Sequence, residues 1–340
     1  MKRLLVRRGA AGLALGALAA TGLASIPTAA HAAVAYATVG GSAYSGSDYY
    51  DDNTDTWVDC DESGVLDADE TAPWSDNGVP VSRGYSMAGT YTDPANTVDK
   101  VNVSASGSAT VSSTPFTGGG TPTTITGTAQ ATAAAISQGA TTRCDTYVSS
   151  QSGAQGELVL TQPVWVTLTV SGNGNGGGFI QLGGSDGGAY VGVGKRGTAS
   201  ASALLSPGEV NFSFNASVGA SAEGTAEGTS SYSGTFKIEL QPVGSASAIS
   251  GKGKAYTQFG ARDCATGNVT AAITKKAKKK AKQIVVSVNG KKAVKLKGKK
   301  LKKRALVLPA APSSAAEVTA KITLKNGKKV TVTRSYLACS

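Results

Sequence analysis

Histidine occurs once in this chain, at His31, inside a segment that reads as an export signal. Its absence beyond that point excludes Ser-His-Asp and Cys-His nucleophile activation, histidine general bases and histidine metal ligands together. Large apolar side chains are scarce too. Between residues 33 and 150, Leu, Ile and Phe number four (Leu66, Phe116, Ile125 and Ile136), and eleven valines bring the total to fifteen of 118. With fourteen acids against three bases in the same region, this supply is too poor for a sizeable core and calls for another staple. After the N-terminal segment, no apolar run is long enough to span a bilayer, and no convincing amphipathic helix stands out. Acids are missing from residues 275–304, which hold fourteen lysines and one arginine.

Lys2, Arg3, Arg7 and Arg8 precede an Ala/Leu/Gly-rich run over residues 9–26, and Ala30-His31-Ala32 forms a small-x-small cleavage site. These parts predict a signal peptide over residues 1–32 and a secreted product, extracellular or associated with the cell envelope, with no transmembrane segment after processing. Arg7-Arg8 leaves a twin-arginine route open, but Gly9 and Ala10 stand where such signals carry bulky apolar residues, so general export comes first. Four cysteines remain: Cys60, Cys144, Cys264 and Cys339. An even count in an exported chain predicts two disulfides. Of the three connectivities, chain position favours Cys60–Cys144 and Cys264–Cys339, each bracketing one expected domain.

Charge divides the chain. Residues 251–340 carry 23 bases against Asp263 and Glu317, a net +21, whereas residues 33–250 carry 6 bases against 20 acids, a net −14. Two opposed fields lie behind a modest overall charge. Alternation of apolar and polar residues between Gly, Pro and Asn turns predicts an all-β protein, built as tandem antiparallel β-sandwiches. Residues 33–150 read as an acidic, disulfide-stapled β domain with a thin core. Residues 155–262 read as a Gly/Ser-rich, jelly-roll-like sandwich in which Val210, Phe212, Phe214, Phe236, Ile238 and Leu240 point inward. Residues 265–340 carry two hairpin signals, Asn289-Gly290 and Asn326-Gly327, each between apolar-alternating strands, and fit a basic Ig-like domain.

The segments VSVNGKKAVKLKGKKLKKRALVLPAAP and KITLKNGKKVTVTRSYLAC carry an N-G-K-K hairpin, a lysine-rich connection, an L-P loop and an R-x-Y-x-x-C ending. In these features the last quarter of the chain resembles the lysine-rich C-terminal Ig-like domains on exported multi-domain β proteins of high-GC Gram-positive bacteria. That resemblance implies extracellular spacing, attachment or binding, and no catalytic residues.

Three sets of side chains are candidates for function. Residues 59–70, DCDESGVLDADE, match an EF-hand-type calcium loop in spacing, with Asp59, Asp61, Ser63, Asp67 and Glu70 as side-chain donors, the Val65 carbonyl as another, and Gly64 at the sharp turn. The flanks read as strand and proline instead of helix. The loop is therefore either a Ca2+ site grafted between strands or a solvated acidic segment that matches by composition, in a stretch with eleven acids between Asp48 and Asp76. The second set is Lys275, Lys276, Lys278, Lys279, Lys280, Lys291, Lys292, Lys295, Lys297, Lys299, Lys300, Lys302, Lys303 and Arg304, which would attract an anionic cell-envelope polymer or other extracellular polyanion by counterion release. Lysine in place of arginine, and no interleaved aromatics, argue against specific nucleic-acid binding. The same lysines would also serve to guard edge strands, or to dock on the acidic front region. The third set is aromatic: Tyr36, Tyr44, Tyr49, Tyr50, Trp57, Trp74, Tyr85, Tyr91 and Trp165 either form a platform for sugar rings or supply the core the aliphatics do not. Asp67 and Asp69 have a spacing that glycoside hydrolysis would accept, although acid-rich loops produce such pairs by chance. The reading that emerges is a secreted, non-catalytic envelope-associated or extracellular binding protein; the rival is a carbohydrate-binding or glycoside-active module.

Overall fold

The computed structural model describes residues 32–52, 54–115, 123–139, 143–223, 227–302 and 305–340. The expected export signal lies outside them except for Ala32, which is buried opposite Leu160.

The chain is all-β, in several antiparallel sheets. The first eight strands are β1 (Ala32–Asp51), β2 (Thr56–Asp59), β3 (Asp61–Val65), β4 (Asp67–Pro73), β5 (Val81–Asp93), β6 (Asn96–Ser113), β7 (Thr123–Gln138) and β8 (Asp145–Leu160). Six more follow: β9 (Val164–Gly174), β10 (Gly177–Gly184), β11 (Gly187–Val193), β12 (Arg196–Leu205), β13 (Gly208–Ala222) and β14 (Gly228–Pro242). Together they make two seven-stranded sheets. The first runs β11-β10-β13-β8-β1-β2 with β4 also paired to β1; the second runs β12-β9-β14-β7-β6-β5-β3.

This arrangement corrects the expected domain boundary near residue 150, which falls inside β8. That strand pairs with β1 from the acidic region on one side and β13 from the Gly/Ser-rich region on the other, and β14 sits between β7 and β9 in the same way. The two expected domains are one sandwich with a single core. Apolar scarcity is the physical reason. Strands of the first region turn many small residues inward, among them Val39, Val101, Val103, Ala131 and Ala135, and beside that region's own Tyr49, Trp74, Tyr85 and Tyr91 the core takes the rings of Phe212, Phe214 and Phe236 from the second region. Phe214 and Phe236 stack with centroids 4.6 Å apart. The Phe214 ring lies so close to β7 that a Cβ at Gly127 would fall 2.2 Å from it, which makes that glycine the space the ring occupies.

The C-terminal unit contains β15 (Thr257–Arg262), β16 (Val269–Ile273), the short helix α1 (Lys275–Lys280), β17 (Ala281–Val288), β18 (Lys291–Lys297), a 3-10 turn at Gly298–Lys302, β19 (Ala305–Leu308), β20 (Ala316–Leu324) and β21 (Lys329–Tyr336). A three-stranded sheet, β15-β16-β19, faces a four-stranded one, β18-β17-β20-β21, over a second core. Seven strands split three and four match an Ig-like sandwich. Asn289 and Gly290 both have positive φ (49° and 75°), the two-residue turn that Asn-Gly favours. At the second hairpin only Gly327 does (85°), and the Leu324 N–H donates to the Lys328 carbonyl around a longer loop.

Both disulfides join the pairs expected from chain position. Cys60 and Cys144 are 6.2 Å apart at Cα and buried in the large sandwich; Cys264 and Cys339 are 5.2 Å apart. Beside the second, the buried Arg262 guanidinium donates to the carbonyls of Gly267 (3.2 Å) and Leu337 (2.6 Å), which pins the chain terminus against β15. Burial holds the Arg262 pKa below its ordinary value. The tail also reaches the large sandwich, where the Gly244 N–H donates to the Ala338 carbonyl at 3.1 Å.

Candidate functional site

The basic run forms a surface instead of a tail, and two buried apolar residues explain how. Ala277 of α1 and Leu301 of the 3-10 turn belong to the second core, so Lys276 and Lys278 beside the first and Lys300 beside the second are directed away from it. Thr274 caps α1: its hydroxyl accepts the Ala277 N–H at 3.1 Å and donates to the Ala255 carbonyl at 2.8 Å. The helix has no acid in its first turn and Lys278, Lys279 and Lys280 in its last, the charge sense that suits a helix C-terminus. Lys275, Lys276, Lys279, Lys280, Lys299 and Lys300 are exposed, and Lys278 is half-buried. The Lys276 ammonium lies 5.6 Å from the Tyr256 ring centroid. Lys302 ends the 3-10 turn; Lys303 and Arg304 lie outside the described residues.

Strand alternation builds the rest. With Ile284, Val286 and Leu296 turned inward, the outer face of the four-stranded sheet receives lysines in three consecutive rungs across the strands. These rungs read Lys292–Ser287–Thr319–Thr333, Lys295–Val285–Lys321–Thr331 and Lys297–Gln283–Thr323–Lys329. One acid, Glu317, shares this face, in the rung at its end. Lys291 stands exposed beside the Asn289-Gly290 turn. Among the described residues no ion pair involves any of these lysines. Lys295 and Lys321 are two strand spacings apart, about 10 Å, comparable to the screening length in physiological salt, so their potentials add.

The calcium-loop donors are spread over extended strands. Asp59 ends β2, Asp61, Ser63 and Val65 lie on β3, and Asp67 and Glu70 lie on β4. β3 pairs with β5 in the second sheet, while β2 and β4 pair with β1 in the first, so the twelve residues cross from one sheet to the other instead of coiling around a point. Glu70, expected as the last donor of the loop, is ion-paired with Arg83. No cluster of three or more His, Cys, Asp or Glu able to hold a metal occurs among the described residues. The backbone of residues 61–65 and 67–70 is extended strand, where an EF-hand-type loop is coiled.

The aromatic set divides by strand parity. Tyr49, Trp74, Tyr85 and Tyr91 are core residues, and the Tyr85 hydroxyl, whose pKa burial raises, bonds to Ser150 (2.7 Å) and the Gln151 carbonyl (2.8 Å). Tyr36, Tyr44, Tyr50 and Trp57 are exposed on the outer face of the first sheet. Two exposed tyrosines outside the expected set join them, Tyr147 on β8 and Tyr190 on β11. Trp165 is half-buried where the two sandwiches meet. Asp67 and Asp69 occupy alternate positions of β4 on that same outer face, opposite Tyr44 and Ser42.

No protein-family model matches the chain, and no curated protein does. Among solved structures, a β-glucuronidase of an uncultured Clostridium sp. is similar at 13% identity and TM-score 0.17, covering 54% of this chain and 34% of its own. A GH2 β-galacturonidase from Eisenbergiella tayi gives 9% identity, TM-score 0.16 and 54% and 35% coverage; the chain thus spans about a third of either enzyme. The adhesin domain of Epf from Streptococcus pyogenes gives 9% identity and TM-score 0.19, covering 80% of this chain and 94% of its own. At these TM-scores the likenesses carry no argument about fold or function.

Proposed function

We propose that the chain is a non-catalytic extracellular binding protein whose C-terminal sandwich adheres to an anionic, phosphate- or carboxylate-bearing polymer through its lysine face. Two disulfides fit an oxidising compartment, and among the described residues no helix is long and apolar enough to cross a membrane. A chain without histidine beyond residue 31, with both cysteine pairs oxidised, has few groups for proton transfer or nucleophilic attack near neutral pH.

The position of Lys321 carries this reading. Lysines on β18 and β21 are what edge strands need against unwanted pairing, and solubility alone would explain them. Lys321 is on β20, an internal strand paired on both sides, where no edge needs guarding. Its rung carries charge from the β18 edge into the interior of the face, and a flexible polyanion laid over the rungs would release counterions from all of them together. Fluorescence anisotropy of labelled long-chain polyphosphate, measured with the full chain over a salt series, tests the proposal. Substitution Lys→Gln at 295, 297 and 321 is a cleaner control than removal of residues 275–340, which would strip away most of the second core and leave Cys264 unpaired. Binding that resists salt, or survives the triple substitution unchanged, rejects the proposal.

A further inference from the structure

The outer face of the first sheet carries a second feature, independent of the lysines. One rung there reads Thr71–Gly40–Gly153–Asn215–Phe179 across β4, β1, β8, β13 and β10. At the usual inter-strand spacing these five strands span about 19 Å. The rung lacks side chains at two of its three inner positions, Gly40 and Gly153: at Gly153 a Cβ would fall 1.9 Å from the Phe214 carbonyl oxygen, so none fits. A trench of about 370 Å³ results, running across the strands.

Its banks are amides and hydroxyls. Gln155 and Ser213 line one side, Gln151 and Ser42 the other. Asn215 Nδ2 donates to Gln151 Oε1 (3.3 Å) and Gln151 Nε2 donates to Ser42 Oγ (3.1 Å), which fixes both amides along the wall. Asn215 Oδ1 is buried in the wall and has no hydrogen-bond partner among the described residues, so a turn of this one amide would present an unsatisfied acceptor to a ligand hydroxyl. The lining includes one carboxylate, Asp69, and no lysine or arginine. At one end Phe179 stacks on the exposed Tyr190, with centroids 5.8 Å apart and planes at 28°.

Among the described residues, exposed aromatic rings belong to this face of the sandwich. The exposed large aromatics of the described residues, Tyr36, Tyr44, Tyr50, Trp57, Tyr147 and Tyr190, all point outward from the first sheet. The outer face of the second sheet instead pairs hydroxyls with one another across strands, as in Ser82–Thr110 and Ser171–Thr198, both 2.7 Å. Ordinary solvation of a sheet explains the second face and not the first.

We infer that this trench binds a neutral glycan strand, whose hydroxyls take the Asn215, Gln151 and Gln155 amides and the Asp69 carboxylate while a sugar ring covers the Phe179–Tyr190 plate. An anionic polymer would meet no cation here. An extended peptide could not add as a strand, because the backbone groups of β1, β8, β13 and β10 are spent in pairs on both sides. A donor-acceptor wall with a flat apolar plate suits a hydroxyl-rich ring.

Affinity electrophoresis of the full chain in gels containing soluble neutral glucan, mannan, galactan or xylan tests this at high salt, where the lysine face is screened and its failure or success has no bearing. At least one polysaccharide should retard the protein. Asn215→Ala and Tyr190→Ala should each weaken that retardation about tenfold, and Ser200→Ala on the opposite sheet should leave it unchanged. Gln151→Ala, an exposed position, replaces Asn215→Ala if the latter lowers the melting temperature. No retardation by any of the four, retardation by charged polysaccharides alone, or retardation indifferent to the trench variants overturns the inference.

Discussion

The indole N–H of Trp165 donates to the Ala338 carbonyl at 3.0 Å, joining residues 173 positions apart. Trp165 belongs to the large sandwich and Ala338 to the tail held by the Cys264–Cys339 bridge, so this bond ties the lysine-bearing unit to its neighbour. Trp165→Phe keeps an aromatic plate and removes the donor. It should cost about 1 kcal/mol and lower the denaturation midpoint of the C-terminal unit; an unchanged midpoint would show that the contact does not couple the sandwiches.

The shared core predicts that neither half of the large sandwich folds alone. A fragment ending at residue 150 loses β13 from beside β8 and the Phe212, Phe214 and Phe236 rings from its interior. Its circular dichroism should be that of an unfolded chain even with Cys60–Cys144 oxidised. A cooperative melt from such a fragment would restore the two-domain division.

Much of this fold was legible in the sequence, and what was not depends on which strands become neighbours. Inward Val210, Phe212 and Phe214, the Asn289-Gly290 hairpin and both disulfide pairs follow from period-2 alternation, turn chemistry and chain position. The scarcity of large apolar residues before residue 150 was visible, but it meant a shared core where a thin independent one was expected. EF-hand side-chain ligands at positions three and five have the same period as a strand, so Asp61 and Ser63, which match them, fall on one face of β3. Parity on β1 already separated exposed Tyr36, Tyr44 and Tyr50 from buried Tyr49, whereas the glycine-floored trench depends on which strands become neighbours, which no local pattern records.

Because the acidic segment is held in strands and Glu70 is paired with Arg83, calcium should not stabilise the protein. Thermal melts with millimolar-range calcium or with a chelator should superimpose, and a calcium-dependent rise in Tm would reinstate the site.

Asp93 is buried and accepts two hydrogen bonds at 3.1 Å from Arg143, whose guanidinium carbon lies 4.4 Å from the Tyr49 ring centroid. The Arg143 hydrogen bonds hold the Asp93 carboxyl below its ordinary value of 3.8. The unfolded state therefore binds more protons in acid, so the pair's contribution is complete above that ordinary value and is lost as pH falls toward the depressed native one. Asp145 works in the opposite sense, since burial raises its pKa and acid relieves it. Asp93→Asn should flatten the acid limb of the stability profile and lower stability at neutral pH. A wild-type acid limb in that variant would assign acid sensitivity to other groups.

The lysine face is tested most directly by the salt slope of polyphosphate binding in the full chain and in its Lys295→Gln, Lys297→Gln, Lys321→Gln form. Each engaged lysine should contribute roughly −0.7 to −0.9 to the slope of log K against log salt, so the triple variant should bind more weakly at low salt and with a slope shallower by about two to three. Equal slopes and equal affinities in the two proteins would contradict a polyanion-binding face.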